Sequence, residues 1–183
     1  MRRRLLILSA IALIAAGCST TSMTSSSGLG NLAISDADIG QIITTANQGE
    51  IDQGNAALAK ASSADVRAFA QMMVTDHTNA LTNAANLLTS RNITPNASND
   101  LATQLQSGSS QTISNLNTYS GASFDRQYID SQVSLHQWLL GELDNQLIPS
   151  ARDRRLRDLL QTMRTSVAMH LDRARQIQGT LGS

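Results

Sequence analysis

The residues able to do chemistry are few in this sequence: three histidines, one cysteine and two glutamates, Glu50 and Glu142. His77 falls in a run whose apolar positions recur three and four apart. Val66, Phe69, Ala70 and Met73 precede it, and Ala80, Leu81, Ala84, Leu87 and Leu88 follow. Such spacing makes one stripe of an amphipathic helix, so a titratable ring is aimed at a core. His136 sits likewise among Tyr128, Gln132, Leu139, Leu140, Leu143 and Leu147. His170 follows Leu156, Leu159, Leu160, Met163 and Val167, and Glu50 follows Ile39, Ile42, Ile43 and Ala46 ahead of Gly54 and Ala57. A buried imidazole or carboxylate must be paired, hydrogen-bonded or metal-bound to be tolerated. Histidine plus carboxylate from separate helices is a ligand set for iron, zinc, copper or manganese. The same placement also fits polar core groups that are satisfied by neighbours and merely fix helix register. Both readings stay open at this point.

Four long helices are predicted to carry these groups. The first runs from Asp36 to Lys60, with Ser35 and Asp38 as a capping box. The second runs from about Ser63 to Arg91, with Ser62 and Asp65 in the same pattern. The third covers about Phe124 to Ile148 behind Ser123, and Pro149-Ser150 then makes a tight turn. The fourth covers about Ala151 to Gln178, with Ser150 and Asp153 as its capping pair. A weaker helix is expected from about Asp100 to Tyr119, after a loop at Pro95 and before a break at Gly121. Single apolar stripes can be buried only against one another. Two tight turns therefore give two antiparallel hairpins, and together an all-α, ferritin-like antiparallel four-helix bundle. The extra helix between the second and third long helices could span roughly 30 Å, enough to cross the bundle.

Heights follow from counting residues from each hairpin turn at about 1.5 Å apiece. Glu50 and His77 come out ~17 and ~23 Å from the first turn, His136 and His170 ~20 and ~31 Å from the second. Glu50, His77 and His136 are thus expected to form one cluster, helped by Asp76 or Asp130. His170, two turns away, would belong to the wider metal set or hydrogen-bond to Tyr128. Met72, Met73 and Met163 could act as soft copper ligands or simply fill the core. Arg152, Arg154, Arg155 and Arg157 form either a contact for anionic lipid or a solvated helix face. Trp138 lies off its stripe and is expected to pack under the extra helix. No phosphate loop, Ser-His-Asp order or Cys/His zinc spacing occurs.

The first residues combine Arg2, Arg3 and Arg4 with a short apolar run and then Ile14-Ala-Ala-Gly-Cys18. This is a secretory signal over residues 1–17, too short to span a bilayer. Its end resembles the bacterial lipobox, which implies cleavage before Cys18 and lipidation of that thiol. Ser19 after the cysteine implies the outer membrane, with the domain in the periplasm. Residues 18–34 are rich in Ser, Thr and Gly and read as a tether, with residues 35–181 forming the bundle domain. Removing the three arginines from 14 basic residues leaves 11 against 14 acidic ones. A net charge of about −3 argues against nucleic acid as a partner. The membrane, reached through lipid on Cys18, is the expected partner. The lone cysteine excludes disulfides within the domain.

Phe69-Ala-Gln-Met-Met-Val-Thr-Asp76-His77-Thr, Phe124-Asp125-x-x-Tyr128 with His136, His170-Leu171, and Glu50-Ile51 resemble the bacterial envelope family called domain of unknown function 4142. The resemblance covers about Ile34 to Leu181. It implies a ferritin-like bundle in an exported protein and no established activity. The chain departs from true ferritins in having no Glu-x-x-His pair, which speaks against a di-iron ferroxidase. The expected role is metal handling or envelope stress tolerance through a core transition metal. The alternative is a non-enzymatic envelope interaction module.

Overall fold

The computed structural model describes residues 34–181. The signal segment, Cys18 and most of the tether lie outside the described residues. Six helical segments are seen there: α1 (Asp36–Lys60), α2 (Ala64–Ser90), α3 (Asp100–Leu116), α4 (Gly121–Glu142), α5 (Ile148–Ser150) and α6 (Arg154–Leu181), and no strand. A π-helical stretch, Leu143–Leu147, joins α4 to α5 into one continuous rod. Pro149 therefore lies within the rod and not in a turn. It lacks an N–H and crowds the carbonyl four residues back. The wider π turn just before it is the place where such a mismatch is absorbed. The reversal comes later, at Ala151–Asp153.

The capping box of α1 forms as expected: Ser35 Oγ accepts from Asp38 N at 3.1 Å, and Ser35 N donates to Asp38 Oδ2 at 3.1 Å. The other two capping boxes do not, and Ser123 lies inside α4, whose N-cap is Ser120. Ser63 caps α2 only by its backbone, and Asp125 of α4 takes the free amides instead. It accepts from Ser62 N at 3.0 Å and Ser63 N at 2.8 Å, and from Ser62 Oγ. For α6, Asp153 itself is the cap, accepting from Leu156 N at 3.0 Å, while Asp36 accepts from Arg152 N and Asp153 N. At α2 a long-range carboxylate thus replaces the local serine, and at the α5–α6 reversal Asp36 satisfies turn amides while tying the start of α1 to that end. Gly121, with φ 56°, takes the left-handed turn into α4 behind Ser120. Asp125→Ala is expected to cost about 2 kcal/mol, seen as a melting temperature lowered by roughly 4–8 °C.

End-to-end contacts give the topology. Arg91 pairs with Asp153 at 2.7 Å and Arg173 with Asp65 at 3.3 Å, so α2 and α6 are antiparallel neighbours. Asn96 and Asn99 meet Asp38 at the start of α1, and Lys60 Nζ meets the carbonyls of Leu116 and Asn117 at its end. Helix α3 therefore runs the length of α1 as a crossover, which returns the chain to begin α4 beside the α1–α2 turn. The result is a ferritin-like four-helix bundle of α1, α2, α4 and α6 with one helical crossover.

The core is divided. One apolar cluster, with Ile39, Ile43, Leu147, Leu156 and Leu160, fills the end nearest the α5–α6 reversal. The other, with Val66, Phe69, Phe124, Ile129 and Ile177, fills the opposite end. Each fully buried side chain of this size contributes roughly 1.5–3 kcal/mol. Between the two plugs lies a layer of buried polar groups: Asn47, Glu50, Gln53, His77, Gln132, His136 and His170.

A candidate tri-histidine metal centre

Each long rod sends one chemical group into this layer: Glu50 from α1, His77 from α2, His136 from α4, His170 from α6. The three rings converge. Their centroids are 6.1 Å apart for His77 and His136, 5.2 Å for His77 and His170, and 5.5 Å for His136 and His170. One ligating nitrogen from each lies within 4.8 Å of the other two. Nitrogens about 2.05 Å from a tetrahedral ion sit about 3.3 Å apart, so small ring rotations would close the set.

The expected separation of His136 and His170 is therefore corrected. Side chains on a helix tilt toward its N-terminus. The α4 rod runs into the reversal and α6 runs out of it, so His136 leans away from the turn and His170 leans toward it. Most of the gap closes because the reversal lies at Ala151–Asp153 and not at Pro149-Ser150, which lengthens the α4 rod and shortens α6 by about 4 Å each, and the two leans close the rest. No Tyr128–His170 hydrogen bond forms. His170 Nε2 instead donates to Asp76 Oδ2 at 3.0 Å, and Asp130 accepts from Gln178 away from the cluster.

Every ring has one nitrogen engaged. His77 Nδ1 donates to Asn47 Oδ1 at 2.9 Å, and Asn47 is oriented by its own Nδ2 donating to Ile43 O at 2.6 Å. His136 Nδ1 donates to Gln132 O at 2.9 Å. All three partners are acceptors, which fixes the tautomers. The opposite nitrogens, His77 Nε2, His136 Nε2 and His170 Nδ1, are buried without a hydrogen-bond partner. Burial, with the neighbouring imidazoles, holds His77 down at about 3, and burial holds His136 at about 4; burial also lowers His170. The rings are thus neutral near pH 7, each with a buried lone pair left without a partner. Imidazoles whose other N–H is held by a carboxylate, carbonyl or amide are what metal sites use to fix ligand orientation.

Glu50 stands beside this set and not within it. Its Oε1 is 3.8 Å from His136 Nδ1, the engaged side of that ring. Both carboxyl oxygens are buried without a hydrogen-bond partner, as are Tyr128 OH and Gln132 Oε1. Burial pushes Glu50 up to about 7, and burial together with Glu50 raises Tyr128. All the unpartnered buried side-chain atoms among the described residues belong to this one stretch of the core. Each such group costs about 1–3 kcal/mol when nothing satisfies it.

Two recesses reach the layer from opposite sides. One, of about 290 Å³ between α2 and α6, is lined by Asp76, His77, Met163, Met169 and His170. The other, of about 470 Å³ between α1, α3 and α4, ends on Glu50. Asn47 and Gln53 escaped the sequence reading, although Ile43, Asn47, Glu50, Gly54 and Ala57 keep helical spacing. Ala46, which the spacing places in the stripe, is only half-buried, and Asn47 takes the inward position.

The family model described as "Domain of unknown function (DUF4142)" matches residues 21–177. The chain belongs to this family. Among solved structures, a protein described as secreted, of domain of unknown function 305, from Streptomyces coelicolor is similar to this chain in fold. It is 13% identical, with a TM-score of 0.67 over 80% of this chain and 94% of that one. No curated protein matches. Among the described residues, no helix is long and apolar enough to cross a membrane.

Proposed function

We propose that this protein is an exported, lipid-anchored DUF4142 bundle that binds one transition-metal ion through His77, His136 and His170. The observation that carries the reading is the three inward nitrogens, each left without a partner by a ring whose other nitrogen is held. Three neutral imidazoles suit copper and zinc ahead of iron, and manganese least. Three protein ligands leave a position open, as in zinc sites that bind water or a substrate. Asp76, 44% exposed at its side chain, stands at the mouth of the α2–α6 recess and would draw cations toward His170. The signal segment and Cys18 support an outer-membrane anchor with the domain in the periplasm, and the secreted relative in fold agrees with export. The role would be metal handling or envelope stress tolerance.

Metal analysis of protein purified without a histidine tag tests this. One ion per chain after reconstitution with copper or zinc is expected; no stoichiometric ion and an unchanged melting temperature would refute it. Asp76→Asn and Asn47→Ala should each weaken the ion roughly 10- to 100-fold, measured by competition with a chelator, by loosening ring orientation.

A further inference from the structure

The larger recess has a different character from the histidine cluster. Its walls are Leu101 and Leu105 of α3, Leu135, Trp138 and Leu139 of α4, and the α1 face around Ala46. It lies between α3 and α4, because α3 packs along α1, with Leu101 and Leu105 half-buried against the core. Only Ala102 and Leu116, near the two ends of that helix, are buried. Midway, Ser109 Oγ hydrogen-bonds α3 to α1, donating to Gly49 O at 3.2 Å and accepting from Gln53 Nε2 at 3.3 Å. A volume of about 470 Å³ lies in the range of small-molecule sites, roughly 300–1,000 Å³.

Of the residues lining it, Glu50 is the sole ionisable one, and it lies at the inner end, 1% exposed with both carboxyl oxygens unpartnered. No lysine, arginine or histidine faces the recess, so nothing there would balance a phosphate, sulfate or carboxylate. The polar groups on its sides are hydroxyls and amides. The group that can accept a hydrogen bond at the closed end is Glu50. Trp138, 39% exposed, offers an aromatic surface along the recess.

We propose that the α1–α3–α4 recess binds an uncharged, mainly apolar small molecule that donates an O–H or N–H to Glu50. The ligand's polar end would then lie beside His136, on the side of the core opposite the α2–α6 recess. This goes beyond metal binding and does not require it, because walls and acceptor are all supplied by the protein.

A matched pair of probes separates the parts. 2-Naphthol and 2-methoxynaphthalene share one apolar body, and only the first can donate. They are titrated into the full chain carrying Cys18→Ser, which keeps it unacylated, in metal-free buffer. Trp138 is the protein's single tryptophan, so quenching of its emission reports occupancy of the recess directly. Saturable one-to-one binding of 2-naphthol is expected, at least tenfold tighter than 2-methoxynaphthalene. Ala46→Phe, which fills the recess, should weaken both probes tenfold or more while helical content and metal stoichiometry stay as in the parent. Glu50→Leu should bring the two probes to equal affinity. Absence of saturable binding, insensitivity to Ala46→Phe, or a preference that survives Glu50→Leu would overturn the proposal. Metal uptake by Ala46→Phe is read on the same sample, so failure of the recess and failure of the metal centre are told apart.

Discussion

His170→Ala is expected to weaken copper or zinc binding by roughly a thousandfold, about 4 kcal/mol, with the helical fold retained. The effect should exceed the 10- to 100-fold loss typical of an orienting partner, because a donor atom itself is removed. His77→Ala and His136→Ala should match it, since the three nitrogens are equivalent in reach. Glu50→Ala should not, because Glu50 lies 3.8 Å from the engaged side of His136 and outside the converging set. Chelator competition gives the affinities, and circular dichroism checks the fold. If the polar layer only set helix register, the apo protein would instead be indifferent to metal, and leucine at 77 or 136 would raise its stability. A graded result, with His170→Ala far milder than the other two, would restore the sequence-derived view that His170 is separate.

That view shows where sequence reading stops. Helix α1 was placed residue for residue, because its capping box is local and Ser35 and Asp38 both speak for it. The bundle itself was legible for the same reason: apolar stripes at helical spacing leave few ways to be buried. The cap of α2 was not legible because its acceptor, Asp125, lies 62 to 63 positions away and no local pattern marks it; at α6 the local Asp153 caps in place of Ser150. The rod through Pro149 was read as a turn because proline usually ends a helix, and a π turn that absorbs it has no sequence signature. The candidate ligands were all visible as inward polar residues. Their convergence was not, since it depends chiefly on the reversal falling after Pro149, at Ala151–Asp153, and then on the opposed lean of side chains on antiparallel rods.

The second large effect is on apo stability as a function of pH, and Glu50→Gln isolates it. Burial raises the Glu50 carboxyl from its ordinary 4.5 to about 7. The folded chain therefore binds a proton there that the unfolded chain has already lost. That contribution is complete below about 4.5 and disappears as pH rises through 7. The histidines act in the opposite direction. His77 and His136 are lowered from 6.5 to about 3 and 4, so their contribution is complete above 6.5 and is withdrawn as pH falls toward those values. Metal-free protein should accordingly be most stable near neutrality. Urea unfolding of Glu50→Gln, compared with the parent at pH 4 and pH 8, removes only the first of these terms. The stability difference between the two should move by about 3 kcal/mol in favour of the variant over that interval. Because Glu50 lies outside the converging nitrogens, copper or zinc should stabilise parent and variant by similar amounts at pH 8. A pH-independent difference in the apo proteins would mean that Glu50 ionises freely, and the layer would then be wetter than its burial indicates.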